Sequence, residues 1–213
     1  MPVDAPQYPV NLVVAGRRCL VVGGGRIAAR KAEGLLACGA VVHVVGAEVG
    51  EEVRALDAAW DGVTWEERPY ARGDVAGYRL AIAATDDRAV NAAVYEDGEA
   101  AGVWVNSADD PLSCSFTLPS VVRRGPLTVA VSTGGHSPAV ATWLRGRLEA
   151  EFGPEYEVLV ELLSAERQAL KAAGRSTEGL DWQRALESDM LTLIRAGKVQ
   201  EAKERLQACL SSS

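Results

Sequence analysis

The sequence has no excess of positive charge and no clustered cysteines. Its 22 Lys and Arg residues are outnumbered by 29 Asp and Glu residues, which gives a formal net charge of -7 at pH 7. This balance argues against a general nucleic-acid-binding protein and against a membrane-surface protein. The four cysteines form no C-x-x-C pair. A structural zinc site is therefore not expected, and we predict no bound metal.

Long apolar runs are also missing. No run approaches the roughly 18 residues that a membrane helix needs, so we expect no membrane partner. Residues 1–9 contain three prolines and one acid, and they lack the basic start and apolar centre of a secretory signal. We therefore expect a cytoplasmic protein. A chain of 213 residues is long enough for a nucleotide domain and a smaller appendage.

The chain is organised around a strand, a tight turn and a helix near its start. Residues 19–22 suit a buried strand and run into three glycines, Gly23, Gly24 and Gly25. With Ala28 they fill the pattern G-x-G-x-x-A, in which glycine permits the turn and lets backbone approach a pyrophosphate. The phosphate would then lie at a helix N-terminus, which favours an anion. A glycine-rich turn in an unrelated α/β protein is the alternative.

The next strand suggests which cofactor binds. The β-branched run at residues 41–45 suits a strand buried on both faces, and Glu48 follows it at the distance of the acid that holds the ribose hydroxyls. No Arg or Lys lies between Lys31 and Arg54, so nothing obvious receives a 2′-phosphate. The sequence therefore favours NAD over NADP.

Two further strands are predicted at residues 80–84 and 103–105, with a helix between them at residues 88–101. The alternation of strands and helices predicts a parallel, doubly wound sheet. Ligands bind outside the carboxyl ends of such strands, so Thr85 should face the nucleotide. Thr85 either bonds a ribose or phosphate or caps the following helix, and one residue can do both.

The pattern changes after Asn106. Residues 115–122 and 127–131 read as two strands of a hairpin, and helices are predicted at residues 139–152, 156–173, 182–196 and 199–210. We predict an α/β fold: a Rossmann-type parallel sheet, then a small β-hairpin region, then an all-helical C-terminal domain. The predicted boundaries are residues 1–110, 111–150 and 151–213.

Five motifs together resemble the precorrin-2 dehydrogenase family, which includes the N-terminal half of siroheme synthase. They are Val-Val-Gly-Gly-Gly-Arg-Ile-Ala-Ala-Arg-Lys at 21–31, Ala-Ile-Ala-Ala-Thr-Asp-Asp at 81–87, Asn-Ser-Ala-Asp-Asp-Pro at 106–111, Phe-Thr-Leu-Pro-Ser at 116–120 and Val-Ser-Thr-Gly-Gly-His-Ser-Pro at 131–138. The resemblance implies oxidation of precorrin-2 to sirohydrochlorin with NAD as cofactor. In some members the same protein also inserts iron.

The resemblance also implies site residues. The family's key aspartate falls on Asp109, and its nucleotide contacts fall on Arg26, Ile27, Ala47 and Glu48. Asp109 is expected to take a proton or to stabilise positive charge. The sequence departs from the family in having Ser107-Ala108 where related chains often have two valines, and His136 in a variable position. His136 and Asp109 are the candidate bases if ferrous iron or cobalt is also a substrate.

A substrate with eight carboxylates needs local positive charge or many N–H donors. Residues 111–148 contain four arginines and no acid. We assign Asn106, Arg123, Arg124, Thr133 and Arg145 as substrate contacts. The family also dimerises through this region, so a homodimer is expected, with Val121, Val122, Leu127 and Trp143 as candidate contacts.

The residues are also compatible with two other functions. A non-catalytic NAD(H) sensor would need the glycine turn but would have no use for the Asp109 loop or for the acid-free, arginine-containing segment. A dehydrogenase of another anionic substrate is the other alternative, and it is equally compatible with the features of a nucleotide-binding fold. Oxidation of precorrin-2 separates these alternatives from the favoured function.

Overall fold

A computed structural model of the protein describes residues 6–108 and 110–211. The described chain divides into two compact units. The first runs to Leu118 and includes Gly134–Ser137, and the second comprises Pro119–Thr133 and the residues from Pro138 onward. The predicted division into three domains remains a prediction.

The first unit is built on a five-stranded sheet in which every neighbouring pair is parallel. Its spatial order is β3-β2-β1-β4-β5, with β1 at the centre. In register, Val21 of β1 pairs with Val44 of β2 and with Ile82 of β4. The strands are β1 (Arg18–Val22), β2 (Val41–Gly46), β3 (Val63–Glu67), β4 (Leu80–Ala83) and β5 (Trp104–Ser107).

Alternate residues of the strands face two separate cores, as the two-residue period of a strand requires. On one face, Val21 and its neighbours pack against α1 (Arg26–Leu36) and α2 (Glu51–Ala59). On the other face, Leu20 and Val22 pack with Val94 of α3 (Arg88–Ala101) and with the 68–79 connection between β3 and β4. Burial on both faces explains why these strands consist of apolar, largely β-branched residues.

The second unit contains a hairpin and five helices. Strands β6 (Ser120–Arg124) and β7 (Leu127–Val131) pair antiparallel around Gly125-Pro126. The helices are α4 (Pro138–Glu151), α5 (Glu155–Ala172), α6 (Trp182–Leu186), α7 (Met190–Arg195) and α8 (Val199–Ser211). A core that includes Leu159, Met190 and Leu206 holds the last four helices together.

Two predicted elements differ from the structure. The strand predicted at 115–122 begins only at Ser120, because Cys114 pairs antiparallel with Asn106 and the N–H of Ser115 donates to Val105 on β5. The helix predicted at 182–196 is two helices, α6 and α7. The break lies at Ser188, whose hydroxyl donates to the Ala185 carbonyl oxygen at 2.6 Å.

The parallel sheet, the hairpin and the helical C-terminal part confirm the predicted fold class. Within residues 6–108 and 110–211, no helix has the length and apolar character that a bilayer crossing requires.

Candidate functional site

The glycine turn between β1 and α1 leaves no room for side chains at its first two positions. Gly23 has φ of +130°, and a Cβ atom there would lie 2.4 Å from the Ala84 carbonyl oxygen. A Cβ atom on Gly24 would lie 1.8 Å from the Glu48 carbonyl oxygen. The turn is therefore packed directly against the backbone that follows β4 and β2, at the carboxyl edge of the sheet.

Gly25 differs from its two neighbours. A Cβ atom there would meet nothing within 4 Å, and Gly25 is the N-cap of α1 with no side chain bonded to the free N–H groups of the first turn. The first turn contains no acid, and Arg26 and Ile27 are exposed. Unpaired N–H groups at the start of an 11-residue helix form a cradle for an anion. This open cradle fits the pyrophosphate of a dinucleotide.

Ala47 and Glu48 follow β2 directly, and both are exposed. The N–H of Gly50 donates to the Gly24 carbonyl oxygen at 2.9 Å, so residues 47–50 are held against the glycine turn. An acid beside the phosphate turn and after the second strand is where a dinucleotide fold binds the ribose hydroxyls. The structure thus brings Glu48 and the glycine turn together, as the spacing predicts.

Arg54 of α2 also reaches this turn, which the sequence reasoning missed. Its Nε donates to the Val49 carbonyl oxygen at 3.0 Å, and its Nη2 forms an ion pair with Glu67. The guanidinium carbon lies 4.8 Å from the centre of the Trp65 ring. Arg54 lies on α2, four residues after Gly50. This helical spacing is the sequence signal that could have indicated its position near the residue 47–50 segment.

Thr85 is held inside a local network at the end of β4. Its N–H and its hydroxyl lie 3.2 Å and 2.8 Å from Oδ1 of the buried Asn91, whose Nδ2 donates to the Thr85 carbonyl oxygen at 2.9 Å. The cap of α3 is Asp87, which accepts the N–H of Ala89 at 2.8 Å. Capping by the Thr85 side chain is therefore wrong, and the contact of Thr85 with a nucleotide remains a prediction.

Asn106, one of the predicted substrate contacts, is buried at the end of β5. Its Nδ2 donates to the Phe116 carbonyl oxygen at 3.0 Å and lies 3.5 Å from Sγ of Cys114. The amide therefore holds the returning segment 114–116 against the strand. Its contact with a substrate remains a prediction, and Asp109 lies outside the described residues.

Cys114 links several groups of the segment that follows β5. Its sulfur accepts the N–H of Ser107 at 3.2 Å and lies 3.4 Å and 3.3 Å from the carbonyl oxygens of Ser107 and Asp110. Burial raises the pKa of the Cys114 thiol, so the group is protonated at neutral pH and can donate. Burial and the nearby Arg30 lower the pKa of Lys31 on α1, while Cys114 opposes this. Sequence reasoning assigned no role to Cys114 or Lys31.

Ser107 is buried, and its hydroxyl has no hydrogen-bond partner among the described residues. It pairs in register with Ala83, so it lies at the carboxyl edge of the sheet. A buried hydroxyl without a partner is uncommon and costs free energy.

Two of the arginines predicted to bind substrate, Arg124 and Arg145, already have partners within the second unit. Arg145 forms an ion pair with Glu149, one helical turn further along α4. Arg124 donates to the backbone carbonyl oxygens of Arg123 and Glu149 at 2.8 Å and 3.1 Å. Thr133, just after β7, is half-buried. The acid-free segment thus ends one residue before an acid that neutralises part of its charge.

His136 is exposed in the Gly134–Ser137 segment of the first unit. Across residues 6–108 and 110–211, no group of three or more His, Cys, Asp or Glu side chains is arranged to hold a metal ion. A role for His136 in metal insertion therefore remains a prediction.

Several known proteins resemble the chain. Siroheme synthase from Nitrosomonas eutropha is 36% identical over 208 residues, which are 97% of this chain and 44% of that protein. Siroheme synthase from Stutzerimonas stutzeri is 40% identical over 195 residues, 91% of this chain and 42% of that protein. The chain therefore spans about 44% of the length of the curated relatives it matches. A solved structure titled SirC, precorrin-2 dehydrogenase, superposes with a TM-score of 0.69 at 26% identity, covering 95% of this chain and 100% of that one.

Two family models match the chain. The model described as sirohaem biosynthesis protein, central, matches residues 124–151. The model described as putative NAD(P)-binding matches residues 10–120 and so covers the five-stranded sheet with its glycine turn. Because this second match exceeds half of the chain, the chain belongs to the putative NAD(P)-binding family, and the resemblance read from its motifs is confirmed.

Proposed function

We propose that the chain oxidises precorrin-2 to sirohydrochlorin with NAD as the acceptor, in siroheme biosynthesis. The observation that carries this proposal is the open N-terminus of α1, set against Glu48 at the carboxyl edge of the sheet. The likeness to SirC over that protein's full length supports the substrate.

The nucleotide would be held by three features of the first unit. The N–H groups at Arg26 and Ile27 would bind the pyrophosphate, the Glu48 carboxylate would accept the ribose hydroxyls, and Ala47 would leave space beside them. Gly23 and Gly24 let the turn approach closely because neither carries a Cβ atom. When bound, the nicotinamide supplies the redox chemistry by accepting a hydride.

The substrate would be bound through its carboxylates, and the arginines of the second unit are candidate partners for them. Arg123 and Arg124 lie at the end of β6, and Arg145 lies on α4. A guanidinium binds a carboxylate through two parallel N–H donors. In this proposal Arg145 exchanges Glu149 for a substrate carboxylate, while Asn106 and Thr133 offer further polar contacts.

Asp109 is the proposed base of the reaction. Loss of a hydride and of protons extends the conjugation of the macrocycle, and a carboxylate beside the reacting carbon would accept a proton or stabilise the cation formed. Asp109 follows β5 by two residues in the chain, and the end of β5 belongs to the ligand-binding edge of the sheet.

The direct test is anaerobic incubation of the protein with precorrin-2 and NAD, followed by sirohydrochlorin and NADH absorbance. Appearance of both products in equal amounts supports the proposal, and absence of both contradicts it. Asp109→Ala should lower turnover by about 100-fold, the contribution of one general base, while NAD still binds. Asp61→Ala, which changes an exposed acid at the opposite edge of the sheet, serves as the control.

The product outcome also separates the alternatives. A non-catalytic NAD(H) sensor would bind NAD and yield no product with any tetrapyrrole. A dehydrogenase of another anionic substrate would yield NADH with that substrate and none with precorrin-2. Addition of ferrous iron or cobalt with sirohydrochlorin tests metal insertion separately, and a rate equal to the spontaneous one leaves a dehydrogenase alone.

We also propose a homodimer formed through the hairpin and α4. Trp143 and Val140 on α4 are 59% and 45% exposed, whereas Val122 of β6 is 2% exposed. The exposed pair therefore forms the candidate contact, and Val122 is already buried within a single chain. Light scattering at micromolar concentration should give twice the monomer mass, and Trp143→Asp should halve it.

A further inference from the structure

Arg54 is a cation that the structure ties to the turn after β2, and its charge is already paired. Its Nε bonds the Val49 carbonyl oxygen, its Nη2 pairs with Glu67, and its guanidinium covers the Trp65 ring. Val49 is the residue next to Glu48, the proposed ribose ligand. The guanidinium therefore lies beside the place where the adenosine ribose would bind.

In dinucleotide folds an arginine near this turn accommodates the 2′-phosphate of NADP, and an acid holds the free hydroxyls of NAD. This chain carries both residue types at the turn. Arg54 by itself predicts tolerance of NADP, while Glu48 predicts NAD. The choice between NAD and NADP therefore depends on whether the Arg54 guanidinium can pair with a 2′-phosphate.

We propose that Glu67 is a specificity-determining residue that withholds Arg54 from the 2′-phosphate of NADP. The inference rests on the proposed nucleotide site and extends it to a residue outside the glycine turn. Glu67 is the last residue of β3, and β3 pairs with β2 so that Glu67 stands opposite Gly46. The register thus places the Glu67 backbone next to the strand that leads into the ribose turn.

The acidic residues around the turn after β2 also disfavour the 2′-phosphate of NADP. Glu48, Glu51 and Glu52 all lie within the seven residues that end at Arg54, and the carboxylate of Glu52 approaches Gly50. A dianionic 2′-phosphate entering this turn would meet these acids and would have to displace Glu67 to gain a cation. The free ribose hydroxyl of NAD is uncharged, so the acids do not repel it and Glu67 need not be displaced.

Both partners of the ion pair are about half exposed, at 47% for Arg54 and 45% for Glu67. Exposed pairs contribute modestly because water and salt screen them. Removing Glu67 should therefore change the affinity for NADP by a small, measurable factor and should leave the affinity for NAD unchanged.

The test is equilibrium binding of NAD and NADP, measured by calorimetry on the full chain without substrate. Wild type should bind NAD more tightly than NADP. Glu67→Gln should tighten NADP about threefold to fivefold, the range of an exposed ion pair, with NAD unchanged. Arg54→Gln combined with Glu67→Gln should remove that gain.

Glu66→Gln is the matched control, because Glu66 is the adjacent residue of β3, points to the opposite face and pairs with Arg68. It should change neither affinity. Urea unfolding of each variant establishes that it is folded.

An unchanged ratio of affinities in Glu67→Gln, or a wild type that prefers NADP, would overturn the role of Glu67 while leaving nucleotide binding intact. A wild type that binds neither nucleotide would overturn the proposed function as well.

Discussion

The thiol of Cys114 accepts the N–H of Ser107 at 3.2 Å. Through this bond, and through its approach to the carbonyl oxygens of Ser107 and Asp110, one sulfur atom joins both ends of the segment that contains Asp109. The segment follows β5 at the edge of the sheet where ligands bind. The backbone at Ser107 and at Asp110 is therefore held by a side chain that comes later in the sequence.

Replacing Cys114 should loosen this segment. Cys114→Ala removes the acceptor and the donor, so the free energy of unfolding should fall by about 1–2 kcal/mol. Precorrin-2 turnover should fall as well, whereas NAD affinity should stay constant because the glycine turn is unchanged. Cys114→Ser keeps a donor and an acceptor and should recover part of the turnover.

Urea unfolding, NAD calorimetry and steady-state NADH formation measure the three quantities. Cys38→Ala is the control, since Cys38 lies beyond the end of α1 at the other edge of the sheet. Equal turnover in wild type and Cys114→Ala would contradict the positioning role.

Replacing Ser107 should stabilise the protein, whereas replacing Cys114 should destabilise it. Its buried hydroxyl has no partner among the described residues, so Ser107→Ala removes an uncompensated polar group and should raise the free energy of unfolding by about 1 kcal/mol. Ser113→Ala should lower it, because the Ser113 hydroxyl donates to Asp110 at 2.7 Å. Urea unfolding compares the two variants. A loss of stability in Ser107→Ala would show that the hydroxyl has a partner such as a buried water molecule.

The central part of the fold was predictable because its signals are local. Residues 19–22 and 41–45 are apolar strands that lead directly into turns, and the glycines of the first turn fix where the helix begins. Those features place Gly23, Gly24, Gly25 and Glu48 at one edge of the sheet before any tertiary contact is known. The structure agrees in each of these placements.

The features that sequence reasoning missed depend on contacts between distant residues. Arg54 reaches the turn after β2 while it stacks on Trp65 and pairs with Glu67, neither of which is its neighbour in the chain. The 114–116 segment has the composition of a new strand but pairs back onto β5. Arg145 lies in an acid-free segment and yet pairs with Glu149, just beyond it. Such outcomes follow from tertiary geometry and not from local pattern.

His43 predicts a dependence of stability on pH. It lies on β2 with Nδ1 2.8 Å from the Thr64 hydroxyl, and burial lowers the pKa of the ring although Glu66, 3.7 Å from Nε2, opposes this. Arg68 and Arg18 also lower the pKa, and Asp74 raises it. The unfolded chain then binds a proton near pH 6.5 that the folded chain rejects.

Stability from the neutral ring is present above about pH 6.5 and is lost as the pH falls below it. The free energy of unfolding of wild type should therefore decrease between pH 7.5 and pH 5.5, and His43→Gln should decrease less. His136→Gln changes an exposed histidine and should behave as wild type does. Equal losses in wild type and His43→Gln would contradict the role of His43.

Three glycines allow nucleotide binding to be separated from folding. Gly24→Ala would place a Cβ atom 1.8 Å from the Glu48 carbonyl oxygen, so it should lower both stability and NAD affinity. Gly25→Ala meets nothing within 4 Å and has φ of -87°, which alanine adopts freely. It should lower the free energy of unfolding by no more than about 1 kcal/mol, because alanine is a poorer N-cap residue than glycine. Its methyl group should obstruct the phosphate at the start of α1 and lower NAD affinity about tenfold or more.

Gly34→Ala supplies the matched control within the same helix. Gly34 also has nothing within 4 Å of a Cβ atom, and alanine in a helix interior gains about 0.5–1 kcal/mol over glycine. This variant should be more stable than wild type and should bind NAD equally well. If Gly25→Ala bound NAD as tightly as Gly34→Ala does, the open end of α1 would not be the phosphate site, because each substitution adds one methyl group and only the one at Gly25 stands at the N-terminus of the helix.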